Sequence, residues 1–366
     1  MIIGSLISST PSLAPIVPAI ASKYVKEGHE VIIESKIGEK SFFSDHDYTD
    51  HEVKIESRSK ILSSSDVLLV DHEIDLDELK NTKENAIIIG RFNPLVEKKY
   101  VESLASADRM IFSLDMVPRS SIAQSMDILS SLASLSGYKA VISAAESYPG
   151  YFPMMSTAAG TVPPAKVLIL GAGVAGLQAI ATAKRLGAVI EAFDVRSAVK
   201  EEVQSLGAKF IEVEGGKEDQ SAGGYAVQQS EEYLKLQKEL IHERATKSDV
   251  IITTANIPGK KAPLLIEKRT VEAMKPGSII IDMASGSGGN CEVSENNKTI
   301  DFLGVKITGD SKLYQSLPKE ASRLYSTNLH NFVKFILKEG VENIPFDHEV
   351  LQKTAIGKIP EVKLAV

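Results

Sequence analysis

Tryptophan is absent from this 366-residue chain, and only 6% of its residues are aromatic, so the core must be mainly aliphatic. Cysteine is nearly absent as well. Cys291 is the one thiol, which excludes an internal disulfide and fits a reducing compartment. A basic excess is missing: Lys and Arg number 41 against 48 Asp and Glu, a formal net charge of −7. That argues against nucleic acid, whose binders need a cationic face, and against docking on anionic lipid. No apolar run approaches the roughly 20 residues of a membrane span. The segment Met1 to Ala21 is apolar, like a signal peptide, but it lacks a basic start, and Pro11, Pro15 and Pro18 interrupt it. It reads instead as a strand over 2–7, a turn, and a helix to about Lys26. Metal-ligand spacing is missing too: His29, His46, His51, His242, His330 and His348 are scattered. Cys291 has no His–acid arrangement near it in sequence and reads as a structural thiol.

What is present is length and alternation. A chain of 366 residues, 43% of them hydrophobic, is too long for one compact domain and suits two. Short β-rich runs at 2–7, 30–34, 66–70, 86–90 and 109–113 have helical stretches between several of them. A helical pattern covers about 121–135. After a Pro- and Gly-bearing stretch, 148–164, a second set begins, with strands at 167–170, 189–193, 209–213, 250–253, 278–281 and 305–308. Helices are expected near 174–187, 197–206, 227–247, 264–274 and 319–338. This alternation predicts an α/β chain of two Rossmann-like, doubly wound parallel-sheet domains separated by a cleft. The last helix, with Leu324, Phe332, Val333 and Ile336, is expected to pack back on the first domain. The expected division is therefore 1–128 plus 320–366, a discontinuous domain, and 129–319, the nucleotide-binding domain.

The most informative local pattern is Gly171-Ala-Gly173-Val174-Ala-Gly176. An apolar strand, Lys166–Leu170, precedes it and an Ala-rich helix follows, which is the context a dinucleotide turn requires. Gly171 permits the tight turn, Gly173 the approach of a pyrophosphate, and Gly176 close helix–sheet packing. The helix start offers free N–H groups to phosphate. Asp194 ends the next strand. A carboxylate there accepts hydrogen bonds from the adenosine ribose hydroxyls and repels a 2′-phosphate, so NAD is favoured over NADP; Arg196 close by weakens that argument.

A second stretch runs from Val117 to Ser130. Gln124, Asp127 and Ser130 are spaced i, i+3, i+6, which puts them on one helix face, with Arg119 at or before the helix start. An amide, a carboxylate, a hydroxyl and a guanidinium suit a carboxamide and a ribose. On spacing alone a solvated face with Ser120 or Ser121 as N-cap is the stronger reading.

Several motifs occur in order: Pro118-Arg119 through Gln124-Ser-Met-Asp127, Gly137-Tyr-Lys-Ala-Val141, the glycine turn with Asp194-Val195-Arg196, Thr253-Thr-Ala-Asn-Ile-Pro-Gly259, and Gly288-Gly-Asn-Cys-Glu292. Together they resemble the NAD(H)-binding domain I of proton-translocating NAD(P) transhydrogenase, in the alanine dehydrogenase/transhydrogenase family, over nearly the whole chain. The resemblance implies a homodimer. It implies that Arg119, Gln124, Asp127 and Ser130 orient the nicotinamide and its ribose. Nucleotide contacts are implied at Gly171, Gly173, Val174, Gly176, Asp194, Val195, Arg196, Gly224, Tyr225, Gln237 and Asn256. A mobile loop at about 214–227, with Tyr225 at its tip, is implied to fold over the nucleotide. The cofactor is NAD(H), with NADP(H) on a partner beta subunit and proton movement in a membrane subunit. The chain would then be cytoplasmic and peripheral to the inner membrane through those partners, without inserting itself.

Alanine dehydrogenase resembles the chain across both domains, but the residues its chemistry needs are missing. The segment equivalent to its Arg-Val-Ala-x-Thr-Pro is Leu13-Ala-Pro-Ile-Val-Pro18, without Arg. Val70-Asp71-His72-Glu73 has no Lys, residues 85–105 have no His, and the late Asp falls near Gly286. His72 is the one candidate base left, and an exposed loop histidine is the simpler reading of it. Hydride transfer between two nicotinamides needs no general acid or base, only two rings in contact with water excluded. The rival expectations are a free-standing amino-acid dehydrogenase and a non-catalytic NAD-binding regulatory module.

Overall fold

The structure, a computed structural model, describes residues 1–7, 13–71, 73–107, 109–213 and 230–357. They belong to two compact units, Met1–Leu132 with Leu317–Val366, and Ala133–Ser316. Unit 1 runs β1 (Ile2–Ser5), α1 (Pro18–Lys26), β2 (Glu30–Ile33), α2 (Asp45–Thr49), β3 (Lys54–Ile55), α3 (Arg58–Ser64), β4 (Val67–Leu69), α4 (Leu76–Leu79), β5 (Ile87–Gly90), α5 (Lys98–Ala105) and β6 (Met110–Ser113). The chain then enters α6 (Ile128–Ser147), most of which belongs to unit 2. Unit 2 continues with β7 (Met155–Thr157), β8 (Gly160–Val162), β9 (Lys166–Leu170), α7 (Val174–Arg185), β10 (Val189–Phe193), α8 (Lys200–Ser205), β11 (Lys209–Ile211), α9 (Glu231–Ala245), β12 (Val250–Thr253), α10 (Lys268–Glu272), β13 (Ile279–Asp282), β14 (Lys298–Phe302) and β15 (Val305–Gly309). Finally α11 (Pro318–Ile336) and α12 (Glu349–Thr354) return to unit 1.

Both sheets are doubly wound. Unit 1 has the order β3-β2-β1-β4-β5-β6, all parallel, and unit 2 has β11-β10-β9-β12-β13-β15-β14, with β14 antiparallel. Each order reverses beside its first strand, at β1/β4 and at β9/β12. Such reversals leave a crevice at the strand C-termini, where α/β folds take ligands. Strands buried on both faces must be apolar throughout, and alternate residues divide between the faces. Thus Val167, Ile169, Val250, Ile252, Ile279 and Ile281 join one core of unit 2, while Leu168, Leu170, Ile251 and Ile280 join the other.

Helix α11 buries Ala321, Tyr325, Leu329, Phe332, Val333 and Ile336, a stripe at helical spacing. Phe332 packs 5.6 Å from Phe112 of β6, and Tyr325 Oη donates to Val70 O (2.9 Å). Leu324, expected to contribute to this face, is 37% exposed, because it lies on the opposite side of the stripe.

Two expectations are corrected. The helix expected over 121–135 runs instead over 128–147, through Gly137. There a Cβ would stand 2.1 Å from Ala175 O, so glycine lets α6 and α7 touch at their backbones. The same helix has a mean hydropathy of 1.2 over an 18-residue window, so by length and composition one helix does reach membrane-span size. Ala140, Val141 and Ala144 on it are fully buried in the core of unit 2.

Candidate functional site

Strand β9 ends at Leu170, and the chain turns through Gly171 at φ +100°, a conformation that costs a side-chain-bearing residue dearly. The turn is pinned from both neighbouring strands. Gly171 N donates to Phe193 O (2.8 Å), and Thr254 Oγ1 donates to Gly171 O (2.9 Å). Helix α7 crosses so closely that a Cβ on Gly176 would lie 1.9 Å from Gly171 O. Gly173 differs. It is the N-cap of α7 in extended conformation, without a side-chain cap bond, and a Cβ there would meet nothing among the described residues nearer than Arg196 Nη2 at 4.0 Å. Among the described residues the outer face of the turn is open, over a helix start whose first amides lack a side-chain cap. Such a combination suits an anion such as a pyrophosphate.

Asp194 follows β10, with its side chain 6% exposed. It ties the turn to the next strand by accepting from Ala172 N (2.7 Å), and it accepts locally from Arg196 N (2.9 Å). It also accepts from Arg196 Nε (2.9 Å) and Nη2 (2.7 Å). The expected ribose acceptor is thus already a fully used carboxylate. Val195 packs against the core beside it, and Val174 is 40% exposed at the first position of α7. Asn256 is exposed on the segment leaving β12. Gln237 is buried on α9, and its Oε1 has no partner among the described residues. One turn earlier, burial and the charges of Asp194 and Glu212 push the Tyr233 hydroxyl upward. Gly224, Tyr225 and the loop expected at 214–227 lie outside the described residues, as does His72.

Sequence reasoning missed the support beneath this surface. Asp282, fully buried at the end of β13, accepts from Thr253 Oγ1 (2.9 Å), Ala284 N (3.0 Å), Asn290 N (3.0 Å), Cys291 N (3.1 Å) and Ser294 Oγ (2.5 Å). Asn290 accepts from Ala255 N (3.1 Å) and donates to Ala255 O and Pro263 O, both at 2.8 Å. Together they hold Thr253 at the end of β12 and Ala255 just after it. The Gly288–Glu292 motif was visible in the sequence, but not its partner Asp282. Burial pushes the Cys291 thiol up to about 12, so it is inert at neutral pH.

In unit 1 the expected single helix face does not form. Gln124–Met126 is a separate 3-10 turn, and Asp127, with φ −76° and ψ 96°, breaks it from α6. Asp127 instead caps α6, accepting from Ser130 N (2.9 Å) and Ser130 Oγ (2.6 Å), as a short acidic side chain does at a helix start. Ser120 and Ser121 lie well before that start and do not cap it. Asn328 and Asn331 on α11 both donate to Ser125 O, at 2.8 and 2.9 Å, which anchors the turn. Asp127 and Ser130 are therefore brought together, half-buried, while Gln124 and Arg119 sit on the exposed chain before them.

The crevice end of the unit 1 sheet holds groups the sequence did not flag. Arg91, after β5, donates to Asp71 Oδ1 through Nε (3.2 Å) and Nη2 (2.9 Å), and Asp71 Oδ2 accepts from Leu13 N (2.9 Å). Arg91 lies 5.8 Å from the Tyr325 ring. Asp115, after β6, accepts from Ser113 Oγ, and burial raises its carboxyl above the usual range. Their positions at strand ends were the only sequence signal. Among the described residues no cluster of His, Cys, Asp and Glu could hold a metal.

Residues 11–136 match the family described as alanine dehydrogenase/PNT, N-terminal domain, and residues 140–362 its C-terminal domain. The chain belongs to the alanine dehydrogenase/PNT family. Within it, the chain is 40% identical over 348 residues to an NAD(P) transhydrogenase subunit alpha chain of Rickettsia prowazekii, covering 94% of this chain and 90% of that one. It is 46% identical over 324 residues to the protein of the same name from Rhodospirillum rubrum, covering 86% and 84%. The crystal structure of transhydrogenase from Sinorhizobium meliloti superposes with a TM-score of 0.86 at 38% identity, covering 97% and 98%. The two Rossmann-like domains are thus the family's fold.

Proposed function

We propose that this chain is the NAD(H)-binding subunit of a proton-translocating NAD(P) transhydrogenase. The observation that carries the reading is the open glycine turn at Gly171–Gly176 in a chain similar over 94% of its length to a transhydrogenase subunit. The residues suit NAD(H): an accessible Gly173, an uncapped helix start, an acid after β10, and a buried amide oxygen on Gln237 without a partner among the described residues.

Bound NADH supplies a hydride. In this reading the Gly171–Gly176 turn and the start of α7 receive the pyrophosphate, and Asp194 receives the adenosine ribose. Asp127 and Ser130, with Gln124 and Arg119, orient the nicotinamide and its ribose. Asp127 does so from a fixed position, because both its oxygens are tied to Ser130. No residue needs to move a proton at the transfer site. The other nicotinamide, of NADP(H), is presented by a partner beta subunit, and a membrane subunit couples the transfer to proton movement. The chain then sits on the cytoplasmic face, peripheral to the inner membrane. It works as a homodimer, a reading supported by the separate two-stranded β7–β8 hairpin and the chain leading into it, where Tyr151, Met154, Met155 and Val162 are 56%, 63%, 39% and 39% exposed.

The test mixes the chain with an NADP(H)-binding transhydrogenase domain and follows reduction of an NADP analogue by NADH. Transfer is expected. Turnover of NAD+ with L-alanine by the chain alone would replace the proposal with an amino-acid dehydrogenase. Tight NADH binding without transfer would leave a non-catalytic NAD-binding module.

A further inference from the structure

Asp194 and Arg196 form a closed pair at the position where the proposed NAD(H) site needs an open acceptor. A carboxylate offers about four lone-pair positions, and Asp194 has four donors: two backbone N–H groups, of Ala172 and Arg196, and two N–H groups of the Arg196 guanidinium, Nε and Nη2. The Ala172 bond holds the glycine turn to the end of β10, the Arg196 N–H bond closes the local turn after it, and neither can be released without moving backbone. Only the guanidinium bonds can be given up.

Those two bonds form a fork. A guanidinium meets a carboxylate with two parallel N–H donors, and the vicinal hydroxyls of an adenosine ribose meet it with two O–H donors. The arginine is also the partner nearer to water: its side chain is 24% exposed against 6% for Asp194.

We propose that Arg196 occupies the adenosine-ribose subsite of the free protein as an internal stand-in for the ribose diol, and that its displacement sets both the affinity for NAD(H) and the margin against NADP(H). This rests on the NAD(H) reading above. A nucleotide with both hydroxyls replaces the fork bond for bond. One that lacks the 2′-hydroxyl cannot, and leaves the arginine where it is. A 2′-phosphate removes a donor and sets negative charge against Asp194, but the released guanidinium beside it offsets part of that repulsion. Arg196 therefore weakens NADH binding and softens the exclusion of NADPH.

The full-length chain and its variants Arg196→Met and Arg196→Lys are titrated calorimetrically with NADH, NADPH and the NADH analogue carrying 2′-deoxyadenosine. The analogue corrects for any general loss of attraction to the pyrophosphate, because Arg196 Nη2 lies near Gly173. In Arg196→Met the preference for NADH over the deoxy analogue rises about fivefold, the effect of releasing one partly exposed ion pair, and NADPH binding weakens relative to NADH. Arg196→Lys keeps the charge but not the fork. It raises the NADH-to-deoxy preference likewise while keeping NADPH binding. A preference unchanged or lowered in both variants overturns the proposal and leaves the NAD(H) site standing. A parent chain that binds no NADH overturns both.

Discussion

Two glycines of one turn, three residues apart, should fail in opposite ways when a methyl group is added. At Gly176 the new Cβ would stand 1.9 Å from Gly171 O and 3.3 Å from Thr254 Oγ1. Neither the backbone carbonyl nor the first turn of α7 can yield without breaking the Thr254–Gly171 bond. Overpacking of this kind costs about 1–3 kcal/mol, and the lost hydrogen bond about 1 kcal/mol. Gly176→Ala should therefore destabilise unit 2 by about 3 kcal/mol, lowering its Tm by about 6–12 °C for a unit of this size. At Gly173 the backbone is extended (φ −77°, ψ −170°), and among the described residues the nearest atom to a new Cβ is 4.0 Å away. Gly173→Ala should leave Tm unchanged or raise it slightly, by the roughly 0.4–1 kcal/mol that alanine removes from unfolded-state freedom. Its methyl would stand where the pyrophosphate must approach, so NADH affinity should fall about tenfold or more. Thermal unfolding and fluorescence titration with NADH, run on both variants, separate the effects. If Gly173→Ala binds NADH like the parent chain, the turn does not receive a pyrophosphate. If Gly176→Ala unfolds at the parent temperature, the argument from close approach is wrong.

Asp127→Asn retains the shape of the α6 cap, so NADH should bind normally while hydride transfer in the reconstituted system falls at least about tenfold; unaffected transfer would remove Asp127 from the site. Cys291 should resist a thiol-specific reagent at pH 8 in the native chain and react once in denaturant, because burial holds its thiol up to about 12; fast native labelling would contradict its placement. The acid side of stability can be tested at Glu78, whose carboxyl is held below its usual range first by hydrogen bonding to Arg58. Its contribution, about 1 kcal/mol at this partly exposed site, is complete above the ordinary value of 4.5. It is lost as pH falls through the lower folded value. Glu78→Gln should accordingly be less stable at pH 7, with a gap that starts to close near pH 4.5 and disappears below it; a gap independent of pH would refute the assignment.

Sequence patterns reported best on what is local. Strands β10 and β12 lie at 189–193 and 250–253 as expected, because apolar runs, broken only by Glu191 in β10, stand between polar turns and leave little choice of ends. The glycine turn was legible for the same reason: each of its residues answers to neighbours within a few positions. Two of the four edge strands of the larger sheets were not. Strand β3 is two residues long and β14 is largely polar, so neither carries an apolar signature, and each exists only because a neighbour offers free backbone groups. The polar stretch at 119–130 was read as one helix because a 3-10 turn followed by an α-helix preserves roughly helical spacing; only the extended backbone of Asp127 separates them. The buried polar pairs, Asp71 with Arg91 and Asp282 with Asn290, join residues on different strands or loops. Their meeting depends on strand order rather than on spacing. The occupied state of Asp194 is the opposite case: its partner is two residues away, yet nothing in composition distinguishes a free carboxylate from one already satisfied.

The division of unit 1 around residues 133–316 sets an order on vectorial synthesis. Tyr325 reaches Val70, 255 positions earlier in the chain, and Ser322 holds the amide of Ala14 from 308 positions away. A ribosome adding roughly 5–20 residues per second would release the first six strands roughly 10–40 seconds before α11 arrives to cover Phe112 and Tyr24. The second unit, continuous in sequence, can complete its core in that interval. A later stretch of the chain would thus finish the unit begun first, and a nascent chain arrested before Pro318 would carry one folded unit and one still lacking α11 and α12.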